Sequence, residues 1–396
     1  MGALSGVRVL ELTHFLAGPY AGLVLADMGA DVIKVEDPRH ADEARGMSPR
    51  DDRGESLYFM ALNWGKRSVG IDLSCADGRQ VVLDLVRESD VVLDNYRPGV
   101  LAKLGLDHES LVAVNPALIT CSLTGYGETG PYARHAGYDY TIQALAGVMD
   151  LAGEPDGPPT KAGISYVDHS GGLAAALAVC AALVERGRTG TGSHIDLALL
   201  DVQYSMLTYL AAWNLNAGTS PARQPASAHP SLVPAQNFRT RDGHIALFVG
   251  NDPMWKRLVT ALDDDRLTDT RFETRDGRRH HAPELLAMLD ELFRTDTAVA
   301  WSDVLTAAGV ACAPVNDLAG ALHDAHALER GLVARDDVGG HSFEHVRGPV
   351  LAHSTENPLP PPRLGEDSST VLAELGYEGA RLAALVENGV VFSPAS

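Results

Sequence analysis

One carboxylate, Asp168, stands at the entrance of the most apolar run in the chain. His169 and Ser170 follow it, and across residues 171–184 no side chain is charged and most are Ala, Leu or Val. A run of this kind reads as a buried helix. Two roles fit Asp168. Asp is among the favoured N-cap residues, because its carboxylate satisfies a free backbone N–H and complements the positive end of the helix dipole. A carboxylate at a helix N-terminus flanked by small residues is also ionised and open to approach. It can attack a thioester to form an acyl-enzyme, with the N–H groups of the helix end stabilising the oxyanion. Spacing alone leaves both roles open.

Other chemistries find less support. No GxSxG occurs, and Ser170 in "DHSGG" lacks the preceding glycine and the strand-to-helix elbow of that motif. The cysteines Cys75, Cys121, Cys180 and Cys312 are scattered without a CxxC pair, so neither a zinc knuckle nor a disulfide framework is expected. Cys121 and Cys180 lie in apolar runs and read as small buried hydrophobes. His280 and His281 follow Arg278 and Arg279 in "GRRHH", which reads as a charged, solvated turn; no metal is expected. Between the first strand and helix stands "THFLAGPY", with one glycine where a dinucleotide fingerprint needs three. Glu36 then reads as solvated or paired with Lys34 and not as a ribose ligand. No Walker A motif is present.

The elements that must position these residues alternate. Strand patterns at 7–12, 31–36, 67–73, 91–96 and 118–127 are interleaved with helical patterns at 18–29, 76–90 and 109–116. Such alternation implies an α/β fold with a parallel, doubly wound sheet. Residues 194–218 read as a strand start running into a second long helix. Residues 217–235 carry four prolines without periodicity, as a connector does. A hairpin with Asp-Gly at its turn is expected at 238–250, then helices at 253–262, 283–294 and 298–308. A strand at 341–350, a Pro-rich strap at 357–366 and a helical hairpin at 368–391 close the chain. The expected organisation is a large domain from 1–216, a linker at 217–235, a smaller α+β domain at 236–330, and a return through 331–396 to the large domain.

With 396 residues, 45% of them hydrophobic, the chain exceeds one compact core. A net charge of −20 repels phosphate backbones and argues against nucleic acid as a partner. A small phosphorylated ligand stays compatible with it where a few basic residues gather. The opening "MGALSGVRVLEL" lacks a signal-peptide pattern, and the run at 171–184 is shorter than the ~20 residues of a bilayer span. The expectation is a cytoplasmic protein with no membrane partner.

The chain resembles the class III CoA-transferases, the family of formyl-CoA transferase and the carnitine CoA-transferases, whose fold α-methylacyl-CoA racemases share. The resemblance runs nearly the whole length. It is carried by "LSGVRVLELTHFLAGPYAGLVLADMGADVIKVEDP", "LNWGKRSVGIDL", "VLDNYRPGVLAKLGL", "GYDYTIQALAGVMDLAGEPDGPPTKAG", "RTGTGSHIDLALLD", "GNDPMWKRL", "GVACAPVNDL" and "PRLGEDSSTVLAELGY". In that family the nucleophilic aspartate follows a "GPP" turn and precedes a small-residue helix, an arrangement met here by Gly157, Pro158, Pro159 and Asp168. The resemblance implies CoA transfer from an acyl-CoA to a carboxylic acid through an aspartyl-CoA thioester at Asp168. CoA and acyl-CoA are then substrates, and no tightly bound cofactor is implied. It also implies a Rossmann-like large domain, a ring-shaped monomer and an interlocked homodimer.

Further site residues follow from the same resemblance. Tyr138 and Asp139 match the catalytic pair, while Leu16, Ala17, Ile71, Asn95, Tyr96, Arg97, Lys103 and Leu104 match positions lining the coenzyme. Arg39 stands in for a basic residue that the family places where this chain has Asp37. From the loop "FVGNDPMW", Gly250 is the one glycine where formyl-CoA transferases have a glycine run, a departure that speaks against oxalate as acceptor. Racemases carry His at the position of Tyr138, and a phenol with a reference pKa near 10 is a poor base at neutral pH. That favours transfer over the alternative, an α-methylacyl-CoA racemase or epimerase. A non-catalytic CoA-binding protein, with Asp168 only a cap, is the other alternative. His169, beside the nucleophile, is expected either to contact a substrate carboxylate or to face solvent.

Overall fold

The computed structural model of the chain describes residues 2–350 and 358–394. In chain order it begins with β1 (Arg8–Leu12), α1 (Ala17–Asp27), β2 (Asp31–Glu36), α2 (Leu57–Leu62), β3 (Lys66–Ile71) and α3 (Ala76–Arg87). Then come β4 (Val91–Asp94), α4 (Val100–Leu104), α5 (His108–Val112), β5 (Ile119–Thr124), α6 (Asp139–Leu145), α7 (Val148–Leu151), α8 (Tyr166–Thr189), β6 (His194–Ala198) and α9 (Leu199–Met206). The chain continues with α10 (Thr208–Ala217), β7 (Ala235–Arg239), β8 (His244–Phe248), α11 (Asp252–Leu262), α12 (Arg275–His280), α13 (Ala282–Phe293), α14 (Ala298–Ala307) and β9 (Ala311–Pro314). It ends with α15 (Leu318–Leu322), α16 (Ala325–Glu329), β10 (Val333–Val338), β11 (His341–Val346), α17 (Ser368–Glu374), α18 (Gly379–Glu387) and β12 (Val391–Phe392).

Two compact units are distinguished. One comprises Met1–Ala146, Gly163–Leu207 and Arg330–Ser396; the other comprises Gly147–Ala162 and Thr208–Glu329. In the first, seven strands form a sheet in the order β12-β3-β2-β1-β4-β5-β6. Strands β3 to β6 all run parallel, and β12 pairs antiparallel to β3 through Val391 and Phe392. That edge strand is a correction to a wholly parallel sheet: two residues after a helical hairpin carry too little pattern to read. The strands are nearly continuous in apolar residues because both faces are covered. Val9, Val32 and Val91 pack on α1 and α8, while the alternate residues Leu10, Ile33 and Val92 pack on α3 and α17.

Helix α8 is longer than its apolar run. It starts at Tyr166 and extends over 24 residues, about 36 Å at 1.5 Å per residue. By length and composition it could cross a bilayer, which corrects the estimate made from residues 171–184. One face, including Gly172, Ala175, Ala176 and Val179, is buried against α1 and the sheet. At Gly172 a β-carbon would lie 2.7 Å from the Ala17 carbonyl oxygen, so only glycine lets the two helices cross this closely.

In the second unit, β7 and β8 form the expected hairpin, closed by a Thr240 N–H to Gly243 carbonyl hydrogen bond of 2.9 Å, and β9 adds antiparallel to β8. Phe238, Trp255, Phe272 and Phe293 centre its core. In the "GRRHH" segment Arg279 and His280 are exposed, as expected, but the segment is helical and Arg278 is not solvated. It ends α12, and Arg278 is buried over Trp255, bonded to the carbonyls of Val233, Phe272 and Glu273 and paired with Asp252 at 2.8 Å. The long helix expected after β6 is broken between α9 and α10, where Thr208 takes a positive φ of 36°.

Candidate active site

The strand order 3-2-1-4-5-6 reverses direction between β1 and β4, and in open α/β sheets ligands bind at the carboxyl ends of the strands at such a point. The two loops leaving these strands are tied together. The His14 N–H donates to Asn95 Oδ1 at 2.9 Å, and Asn95 Nδ2 donates back to the His14 carbonyl at 2.9 Å. A cavity of about 890 Å³ opens there. Its walls include residues 14–17 after β1, 39–41 after β2, Leu73 and Ser74 after β3, 95–98 after β4, 123–125 at the end of β5, and Tyr138 and Asp168.

Asp168 is not the N-cap of α8. Ser165 occupies that position without a side-chain cap bond, and Asp168 lies in the first helical turn. The capping bond comes from another element, since Asp139 at the start of α6 accepts the Val167 N–H at 3.0 Å. Asp139 is itself buried and also accepts from Gln143 Nε2 at 2.9 Å. Its carboxylate therefore anchors the turn that carries Asp168, and the half-buried Asp168 stays on the cavity wall in the favourable field of the helix N-terminus. His169 is half-buried and does not line the cavity: Nδ1 donates to the Ser165 carbonyl at 2.8 Å and the ring packs edge-on against Tyr20.

Across the cavity, His14 Nε2 lies 3.0 Å from Tyr96 Oη. Burial first, and then the Lys34 ammonium, hold the His14 imidazole below its ordinary pKa. Burial pushes the Tyr96 phenol up to about 12. Tyr58, on α2, escaped sequence reasoning. Burial raises its phenol to about 12 and the Asp168 carboxylate adds to the rise, so the two groups are within electrostatic range. The Ser56 N-cap was the one local sign of the helix that carries it.

Of the residues singled out in the sequence, Leu16, Ala17, Arg39, Asn95, Tyr96, Arg97, Leu104, Tyr138 and Asp168 line this one cavity. Ile71 does not; it is fully buried beneath the sheet's other layer. Lys103 is exposed on α4 away from the cavity wall, Asp139 lies behind it, and Gly250 belongs to the second unit. Arg39 reaches the rim already paired with Asp37 and Asp72. Arg97 is exposed at the cavity and makes no ion pair among the described residues. Glu36 proves neither solvated nor paired with Lys34. It is buried against Arg45 at 2.6 Å, because the chain folds back over β2 and brings Arg45 to it.

Fold and site together define an α/β protein with a carboxylate-bearing coenzyme-sized pocket. The family model for CoA-transferase family III matches residues 4–368. The succinate–glutarate CoA-transferase of Agrobacterium fabrum is 43% identical over 389 residues, covering 94% of this chain and 95% of that one. The human succinyl-CoA:glutarate CoA-transferase is 35% identical, with 98% and 90% covered. A crystal structure of a CaiB/BaiF family protein from Brucella suis superposes with a TM-score of 0.84 at 40% identity, covering 94% of this chain and 99% of that chain. The chain belongs to CoA-transferase family III and is an acyl-CoA:carboxylate CoA-transferase.

Asp94 closes β4 immediately before Asn95. It accepts from Ser122 Oγ at 2.8 Å and from the Tyr96 N–H at 3.2 Å. Burial pushes its carboxyl up to about 7, only partly opposed by those bonds. The folded protein thus keeps a proton that the unfolded chain releases near pH 4. The associated stability is complete below that pH and is lost as pH rises towards 7. Asn mimics the protonated side chain, donating to Ser122 and accepting from Tyr96. Asp94→Asn is expected to raise the melting temperature over wild type by about 2–5 °C at pH 8 and by little at pH 4.5. A gain equal at both pH values, read by calorimetry, contradicts the assignment.

Proposed function

We propose that the switch-point cavity binds acyl-CoA and that Asp168 carries CoA between acids as a covalent thioester. The carrying observation is that the Asp168 carboxylate lines the same cavity as residues 95–98 and the start of α1. Asp168 attacks the thioester carbonyl, forming a mixed anhydride and releasing the CoA thiolate. The thiolate attacks the aspartyl carbonyl, giving aspartyl-CoA and the donor acid. The acceptor carboxylate then attacks aspartyl-CoA, and the released thiolate attacks the acceptor carbonyl, which yields the new acyl-CoA and frees Asp168. Overall one thioester is exchanged for another, so no nucleotide is consumed.

Support for the roles comes from the local chemistry. The N-terminus of α1 has no side-chain cap, and its Leu16 and Ala17 line the cavity, so backbone N–H groups and the helix dipole are available to a developing oxyanion. Val167, by contrast, has its N–H occupied by Asp139. Arg97 is the cation we assign to a coenzyme phosphate, and Tyr138 the hydroxyl donor to a substrate oxygen. Donor and acceptor are taken as dicarboxylic acids of the succinate and glutarate class, as the relatives' names suggest. We assign the enzyme to the cytoplasm.

We also propose a homodimer of interlocked rings. It is supported by exposed apolar residues along one face of α8, Leu173, Leu177 (72% exposed) and Val184. Light scattering is expected to give the mass of two chains; a single-chain mass at micromolar concentration contradicts it.

Hydroxylamine added to enzyme incubated with succinyl-CoA tests the mechanism. A hydroxamate on the peptide containing Asp168, absent in Asp168→Ala, is expected. An unmodified peptide from enzyme that binds succinyl-CoA returns Asp168 to a structural role.

A further inference from the structure

Beneath the cavity lies a charge cluster that the transfer chemistry does not use. Lys34, Lys66, Glu11 and Asp42 have side chains that are 0% exposed. Lys34 Nζ pairs with Asp42 at 3.0 Å and Glu11 at 3.3 Å, and Lys66 Nζ pairs with Glu11 at 2.8 Å. Burial alone would lower the Lys34 pKa, but the carboxylates of Asp42, Glu11 and Glu36 outweigh it and raise it. Burial brings Lys66 down to about 8, against the pull of Glu11. A buried ion pair contributes little net stability and is often replaceable by apolar residues of similar size. Two such pairs under one loop call for another reason.

The cluster grips the backbone of the loop between β1 and α1 and of the first turn of α1. Lys34 Nζ donates to the Thr13 carbonyl at 2.6 Å and Lys66 Nζ to the Pro19 carbonyl at 2.8 Å. Asp42 Oδ1 accepts the Phe15 N–H at 3.0 Å and also the Ala44 N–H at 3.0 Å. Between the grips, Phe15 takes φ 62°, in the left-handed region that a residue with a β-carbon seldom adopts. Such a conformation persists only where its surroundings over-determine it, and it is found at functional sites. Here it reverses the chain so that α1 starts at the cavity, with the Phe15 ring edge-on to Tyr138 at 6.3 Å.

We propose that Asp42 and Lys34 are positioning residues for CoA transfer: they hold Thr13 and Phe15 so that Leu16 and Ala17 face the bound acyl-CoA. The inference rests on reading the cavity as the acyl-CoA site. The Lys34→Met/Asp42→Leu variant removes both charges and leaves Glu11 with Lys66, so no buried charge is stranded. With succinyl-CoA as donor and glutarate as acceptor, its kcat/KM is expected to fall at least tenfold. Adding Phe15→Gly to that variant is expected to recover at least threefold, because glycine adopts the left-handed conformation without steric cost. In the otherwise wild-type enzyme Phe15→Gly is expected to lower kcat/KM, since it removes a cavity-wall ring. A merely structural cluster predicts the same effect of Phe15→Gly in both backgrounds; that result, or a double variant within threefold of wild type, overturns the proposal. Should the double variant not fold, amide exchange on the intact wild-type enzyme decides: the Phe15 N–H must exchange as slowly as helix-interior amides, and fast exchange overturns the clamp. Wild-type enzyme without turnover of these substrates would instead sink the acyl-CoA reading, while the exchange result still stands for or against the clamp.

Discussion

At Gly172 the backbone of α8 comes so near to α1 that a β-carbon would lie 2.7 Å from the Ala17 carbonyl oxygen. This crossing brings the first turns of two helices to one place, the carboxyl edge of the sheet. Helix α8 contributes a carboxylate there, and α1 contributes an uncapped N-terminus. In the proposed mechanism neither helix supplies both halves of the chemistry, so the distance between them sets the geometry of the proposed nucleophile and oxyanion donors. Asp139 makes the arrangement possible at one further point. By accepting the Val167 N–H it takes over the capping duty that Asp168 would otherwise perform.

An acidic protein that binds a phosphorylated coenzyme must keep its negative charge away from the phosphates or neutralise it locally. Here most charge near the sheet's carboxyl edge is internally balanced. Arg39 is matched by Asp37 and Asp72, Arg45 by Glu36, and the buried lysines by Glu11 and Asp42. Arg97 remains outside these pairings, exposed beside the cavity. Asp94, just behind the same loop, is driven by burial towards its neutral form and carries only part of a negative charge near neutral pH. As proposed, the coenzyme site depends on few cations and not on a basic surface.

Much of this architecture was legible in the sequence, and what was not shares a cause. The alternation of strands and helices through residue 127, the Asp-Gly hairpin and the helical tail follow from local patterns, and the structure reproduces them within a few residues. Asp168 could be singled out because it sits at an element boundary with an unusual composition, and the 95–97 loop through the family resemblance. Tertiary relations left no such mark. Nothing near Val167 indicates that its cap comes from Asp139, some 28 residues earlier. Lys34 and Glu36 look like solvated strand charges until the chain returns with Asp42 and Arg45. Arg278 looked like surface for the same reason, since its carbonyl partners come from three other positions. The two-residue β12 is recognisable only by its partner β3.

The most direct test of the account is a crystal structure of the enzyme frozen after exposure to succinyl-CoA without an acceptor acid. We predict continuous density from the Asp168 side chain to the coenzyme sulfur, with the rest of the coenzyme lying along residues 95–98. Intact succinyl-CoA in the cavity with an unmodified Asp168, or coenzyme bound anywhere else on the molecule, would contradict it.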